Sequence, residues 1–107
     1  MANSTIKKIA SSKNGAVQIG NILIQYGTVD VTTGSSGSTA FPYRGSKTIA
    51  FERAYNSPPS TFANCEDWST YWTASATSVT NIGLTIELSG NANNTTKSVS
   101  WLAIGTV

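Results

Sequence analysis

Histidine is absent from the 107 residues, and Cys65 is the only cysteine. Without histidine the chain lacks the usual general base at neutral pH and the commonest metal ligand. With one cysteine it has no intrachain disulfide, so the core is held by packing, by oligomerisation, or by both. Charge is scarce too: 11% of residues are charged, against about 25% in ordinary soluble domains. The seven Lys and Arg are scattered, and only Lys7 and Lys8 are adjacent. A net charge of +2 spread this thinly makes no one-sided basic face for a phosphate backbone, which argues against a nucleic-acid partner. No apolar run approaches the ~20 residues of a membrane span. The N-terminal stretch MANSTIKKIASSKNG holds no apolar segment long enough for a secretion signal.

In place of charge there is Ser, Thr, Asn and Gly. Ser and Asn side chains compete for backbone hydrogen bonds, and Gly loses too much entropy, so all three disfavour helix interiors. No useful stretch carries a 3.6-residue period. The length suits one domain. Residues 1–20 are polar and weakly patterned and read as a leader or the end of a stalk, with a β domain over 21–107.

Within that domain the sequence predicts six strands. NILIQYGTVDV (21–31) is β-rich, with a bulge or kink expected at Gly27. TTGSSGST (32–39) reads as an exposed loop and FPYRG (41–45) as a turn. SKTIAFERAY (46–55) alternates, Ile49, Phe51, Arg53 and Tyr55 sharing one face. STFANCEDW (60–68) is a third strand. In STYWTASATSVT (69–80), Tyr71, Thr73, Ser75 and Thr77 form a solvated face opposite Trp72, Ala74 and Ala76. IGLTIELS (82–89) turns Leu84, Ile86 and Leu88 inward. After the loop GNANNTT (90–96), KSVSWLAIG (97–105) is apolar on both faces. Short strands with regular turn signals indicate an antiparallel β-sandwich or small barrel. Edge strands so poor in charge are weakly protected, and a symmetric oligomer would bury them.

Four groups are candidates for chemistry or binding. Glu66 and Asp67 could serve as a glycosidase pair, but neighbours on a strand point to opposite faces. Cys65 has no base to activate it and reads as a buried structural thiol. One thiol and no imidazole make no soft-metal site, and no EF-hand-like spacing supports a hard-ion site. Neither a metal nor a cofactor is expected. Trp68 and Tyr71 flank the short Ser69–Thr70 turn beside Asp67, a mixture suited to stacking on a sugar ring and bonding its hydroxyls. Trp72 and Trp101 read as packed side chains, Tyr71 is equally open to packing and exposure, and Trp68 is ambiguous in phase. Asn91, Asn93 and Asn94 offer donors and acceptors for hydroxyls, or form a plain turn, since Asn tolerates left-handed backbone.

The order of the pieces carries a resemblance. Ile24, Tyr26 and Gly27 are followed by Phe51, Pro58 and Pro59, then by Val79, Thr80, Gly83 and Leu84, then by Val99, Ser100, Trp101, Ala103, Ile104 and Gly105. Over residues 20–107 this resembles the C-terminal receptor-binding domains of bacteriophage tail fibres with an H-type lectin-like fold. The resemblance implies a six-stranded antiparallel sandwich, a side-by-side homotrimer, and an upstream fibre shaft. It implies a place at the distal end of a virion's tail fibre, on a protein made in the bacterial cytoplasm, and recognition of host surface glycan. Animal H-type lectins hold the sugar with an Arg on the fourth strand and a Trp and a Tyr flanking the last loop. Tyr71, Ser89 and Thr95 stand at those positions here, so the resemblance extends to the fold and not to acetylgalactosamine specificity. The expectation is a non-catalytic carbohydrate-binding tip with Asp67, Trp68, Tyr71, Asn91, Asn93 and Asn94 as candidate contacts. The alternatives are a purely structural trimerisation cap and a small polysaccharide-degrading domain.

Overall fold

The computed structural model describes residues 6–8, 14–35, 42–67 and 71–107, the first of these by backbone alone. Eight strands form two antiparallel sheets, with no helix among the described residues: β1 (Ile6–Lys8), β2 (Gly15–Ile19), β3 (Ile22–Thr32), β4 (Tyr43–Ala50), β5 (Ser60–Cys65), β6 (Thr73–Thr77), β7 (Gly83–Gly90) and β8 (Thr96–Thr106). The larger sheet runs β1-β2-β3-β8-β5 and the smaller β4-β7-β6. The sheets pack face to face as a sandwich, β3 against β4 and β5 against β6.

Alternation sets which side chains meet between the sheets. Along β7 every second residue is buried, with Leu84, Ile86 and Leu88 inward and Thr85, Glu87 and Ser89 outward. Ala74 and Ala76 on β6 join the same layer, as their phase predicted. From the larger sheet, Val31, Val99 and Cys65 complete this cluster. A second cluster of Ala16, Leu23, Tyr55 and Ala103 lies toward the opposite end, and Trp101 packs against both. Burying each such Leu, Ile or Val contributes about 1.5–3 kcal/mol.

The outer faces differ. The smaller sheet shows solvent Arg44, Ser46, Thr85, Glu87, Ser89, Thr73 and Ser75. The larger sheet shows an apolar half, where Ile24 pairs with Val17 and Ile104, and Leu102 with Tyr26 and Phe62. Its other half is polar: Ser98 Oγ donates to Asp30 Oδ1 at 2.9 Å, and Ser100 Oγ bonds Glu66 Oε2.

Four expectations change. Among the described residues the strand number is eight rather than six, because residues 6–8 and 15–19, assigned to a leader, form β1 and β2, which pair with each other and with β3 and bury Ala16. Gly27 makes no bulge: β3 pairs with β8 without interruption from Ile22 to Thr32. Residues 43–45, read as a turn, open β4, which is an edge strand and therefore tolerates Pro42 immediately before it. Thr33, placed in an exposed loop, is buried. Residues 36–39 of that loop lie outside the described residues.

Candidate functional site

The strands after β2 run up and down, so the three connections that follow β3, β5 and β7 start and finish at one end of the sandwich, where residues 33–35, 42, 66–67, 71–72 and 91–95 are described. The opposite end holds the 20–21 turn, residues 51–59 and 78–82, and the C-terminus. Ile6 also lies toward that end, paired with Ile19.

Thr33 ties the first of these three connections to the third. Its hydroxyl donates to Ala92 O at 2.8 Å and accepts from Thr95 N–H at 3.1 Å. Its backbone N–H bonds Thr95 O and its carbonyl accepts from Asn94 N–H, each at 3.0 Å. The loop thereby acquires a fixed shape with Asn94 in left-handed backbone at φ 51°, which Asn tolerates better than most residues. Asn93 Oδ1 accepts from Asn94 N–H at 2.8 Å. Asn91, Asn93 and Asn94 are all exposed. Exposed side-chain amides offer donors and acceptors to outside partners.

Beside this loop lies a compact electrostatic cluster. The Lys97 ammonium bonds the Asp67 carboxylate and stands 5.0 Å from the centroid of the Trp72 ring, within cation–π range. The far side of the cluster is set by Gly90, where an added Cβ would lie 2.2 Å from Trp72 Cε3. The indole of Trp72 is therefore occupied by Lys97, Gly90 and the core, as its packed phase suggested. Tyr71, next to it, is 60% exposed. Trp68 lies outside the described residues.

The acids are drawn apart. Glu66 bonds Ser100 Oγ on the outer face of the larger sheet, while Asp67 bonds Lys97, which shares the inward phase of Val99 and Trp101. Two carboxylates pulled to opposite faces cannot flank one glycosidic bond. Cys65 is buried in the core cluster. Among the described residues no three His, Cys, Asp or Glu side chains form a metal-binding group. What the end can offer is hydroxyl chemistry: amides, a phenol, and a carboxylate–ammonium pair on a rigid rim.

The structure thus brings Asp67 and the Asn91–Asn94 loop to the same end as Tyr71. Lys97 was missed. Its signal was its phase, a lysine in step with inward-facing Val99 and Trp101, which requires an acidic partner nearby.

The chain matches no protein-family model and no curated protein sequence. In fold it is similar to solved pyocin fibres and a discoidin. One is the R1 pyocin fibre of P. aeruginosa comprising C-terminal residues 323–701, with TM-score 0.70 and 17% identity over 94% of this chain and 28% of that one. Another is an N-truncated R1-type pyocin tail fibre, with TM-score 0.69 and 17% identity over 94% of this chain and 84% of that one. A third is recombinant discoidin II of Dictyostelium discoideum, with TM-score 0.58 and 15% identity over 87% of this chain and 42% of that one. The chain thus spans little more than a quarter of the longer fibre fragment. At these identities the likeness is one of fold, a two-sheet antiparallel sandwich.

Proposed function

We propose that the domain is the receptor-binding tip of a bacteriophage or prophage tail fibre, a non-catalytic, H-type lectin-like module that adheres to host surface carbohydrate as a homotrimer. The observation that carries this reading is the likeness of fold to pyocin tail fibres over 94% of the chain. Discoidin II, similar over 87%, favours the lectin-like reading of the same sandwich.

The shape of the domain agrees with a tip. Ile6 sits at the end away from the three loops, so a shaft joined on the N-terminal side would leave those loops pointing outward, at the distal end of a fibre in the virion. Tyr71, Asn91, Asn93 and Asn94 are exposed there, with Asp67 behind them; Trp68, on the same connection, is the remaining candidate contact. A sugar ring would stack on an aromatic face while the amides bond its hydroxyls. A few such contacts in a shallow, wet site give little net free energy, and several copies raise avidity through effective concentration.

Self-association has its own support in the contrast between the outer faces. Ile19, Ile22, Phe62 and Leu102 are 36–62% exposed on the larger sheet, whereas the smaller sheet's outer face is polar. A patch of this kind marks an interaction surface, and copies of the chain would cover it. Light scattering after size exclusion should give a trimer that Phe62→Glu weakens; a stable parent monomer would count against the oligomer.

The test of the whole reading is binding of the isolated domain to a glycan array and to purified host polysaccharide. Binding that Tyr71→Ala or Asn94→Ala abolishes supports the three-loop site. A trimer that binds no glycan favours the structural-cap alternative. Cleavage of host polysaccharide, lost on Glu66→Gln or Asp67→Asn, would replace both with the degrading enzyme.

A further inference from the structure

The two sheets are unequal, and the mismatch opens a cleft. β4 packs against β3, so β2 extends past the free edge of β4 with no strand among the described residues opposite it. Toward the chain termini the overhang is closed by residues 51–55. There the buried Gln25 amide donates to Arg53 O at 2.9 Å and accepts from Arg53 N–H at 3.2 Å, and the Arg53 guanidinium bonds Gln18 Oε1. Closure stops at Glu52. Between Asn14, Thr28 and the β4 edge at Thr48–Ala50 a half-open cleft of about 370 Å³ remains, with Trp101 among its walls.

We infer that this cleft is a second carbohydrate site, one that takes one or two units of an uncharged oligosaccharide. Its volume lies at the small end of the roughly 300–1,000 Å³ typical of small-molecule sites. Trp101 provides a flat apolar wall, and its Nε1–H has no hydrogen-bond acceptor among the described residues. Asn14 Oδ1 accepts from Thr28 N–H at 3.0 Å, which holds the Asn14 amide at the rim. A Cβ on Gly27 would lie 2.2 Å from Asn14 Oδ1 and 2.8 Å from Trp101 Nε1, so glycine there lets both polar groups converge over one spot. Glu52 is the one charged lining residue among those described; its carboxylate accepts from sugar hydroxyls and repels sialylated, uronic or phosphorylated ligands. The inference shares the carbohydrate chemistry of the proposed function but not its site, and either can fail alone.

The chain's three tryptophans make the two sites separable by NMR. The indole N–H of the full, assembled domain would be followed while lactose, maltose or N,N′-diacetylchitobiose is added, with 3′-sialyllactose as the acidic counterpart; Trp101→Phe and Trp72→Phe assign the signals. The expected result is a saturable shift of the Trp101 N–H by a neutral probe, with a dissociation constant on the order of 1 mM. Sialyllactose should bind at least about threefold more weakly, and Glu52→Lys, at an exposed loop position, should remove or reverse that preference. A Trp101 signal unmoved by every neutral probe overturns the site. Shifts confined to Trp68 or Trp72 overturn it while leaving the three-loop reading intact. A probe order unchanged by Glu52→Lys overturns it as well.

Discussion

Gly90→Ala tests the packing behind the three-loop end. An added Cβ would lie 2.2, 2.4 and 2.6 Å from Trp72 Cε3, Cζ3 and Cδ2, distances no real methyl group keeps. Gly90 is buried at the end of β7, and Trp72 rests against the core cluster, so the indole cannot simply swing clear. Overpacking of this kind costs about 1–3 kcal/mol, while Ala in place of Gly inside a strand gains about 0.5–1 kcal/mol. The net expectation is a loss of up to about 2.5 kcal/mol. At about 4–8 °C per kcal/mol for a domain of this size, the melting temperature should fall by up to ~20 °C. Gly34→Ala is the control, since its Cβ would meet only Arg44 O at an ordinary 3.8 Å. Melting followed by circular dichroism at one fixed protein concentration reads both, because an oligomer's stability depends on concentration. The decisive measurement is Gly90→Ala in a Trp72→Ala background. There the clash is gone, and the substitution should turn stabilising by about 0.5–1 kcal/mol. If Gly90→Ala destabilises equally with and without the indole, the contact with Trp72 is not what glycine serves.

Gln25→Ala removes both bonds to the Arg53 backbone and strands two polar groups, so denaturant unfolding should show a loss of about 2–3 kcal/mol. Lys97 and Asp67 side chains are 26% and 20% exposed, more sheltered than a typical surface pair, and a double-mutant cycle with Met and Asn should give about 1 kcal/mol of coupling that shrinks with salt. Burial pushes the Tyr55 phenol above its ordinary value, with hydrogen bonds to Gln25 partly offsetting this. The folded state therefore holds that proton more tightly than the unfolded chain. Its contribution is complete below about pH 10 and is lost as pH rises through the folded value, so stability should fall at alkaline pH, and Tyr55→Phe should remove that component.

Much of the fold is legible in alternation, because a half-buried strand must place apolar side chains on one face. Leu84, Ile86 and Leu88 against Thr85 and Glu87 announce β7, and Trp72, Ala74 and Ala76 against Thr73 and Ser75 announce β6. β2 is harder to see. Its inward phase holds only Ala16 and Gln18, with no strand among the described residues opposite to demand a large apolar side chain. Gly27 misleads for a related reason: the steric need for glycine arises from Asn14 and Trp101, 13 positions earlier and 74 later. At the site, the exposed Asn residues follow from local pattern, which left Tyr71 open between packing and exposure, whereas the Lys97–Asp67–Trp72 cluster joins side chains 25 to 30 positions from Lys97.

By itself the sequence determined the all-β class and the places of six of the strands, because these depend on side-chain type and a two-residue period. It predicted Glu66 and Asp67 on opposite faces of a strand, but β5 ends at Cys65, and their bonds to Ser100 and Lys97 are what hold them apart. Tertiary structure decided the rest: that three connections share one end, that Thr33 pins the last of them, and that β2 overhangs β4 to leave a cleft. Those are properties of how sheets of five and three strands stack, and no local run of residues encodes which strand will be left without a partner across the core.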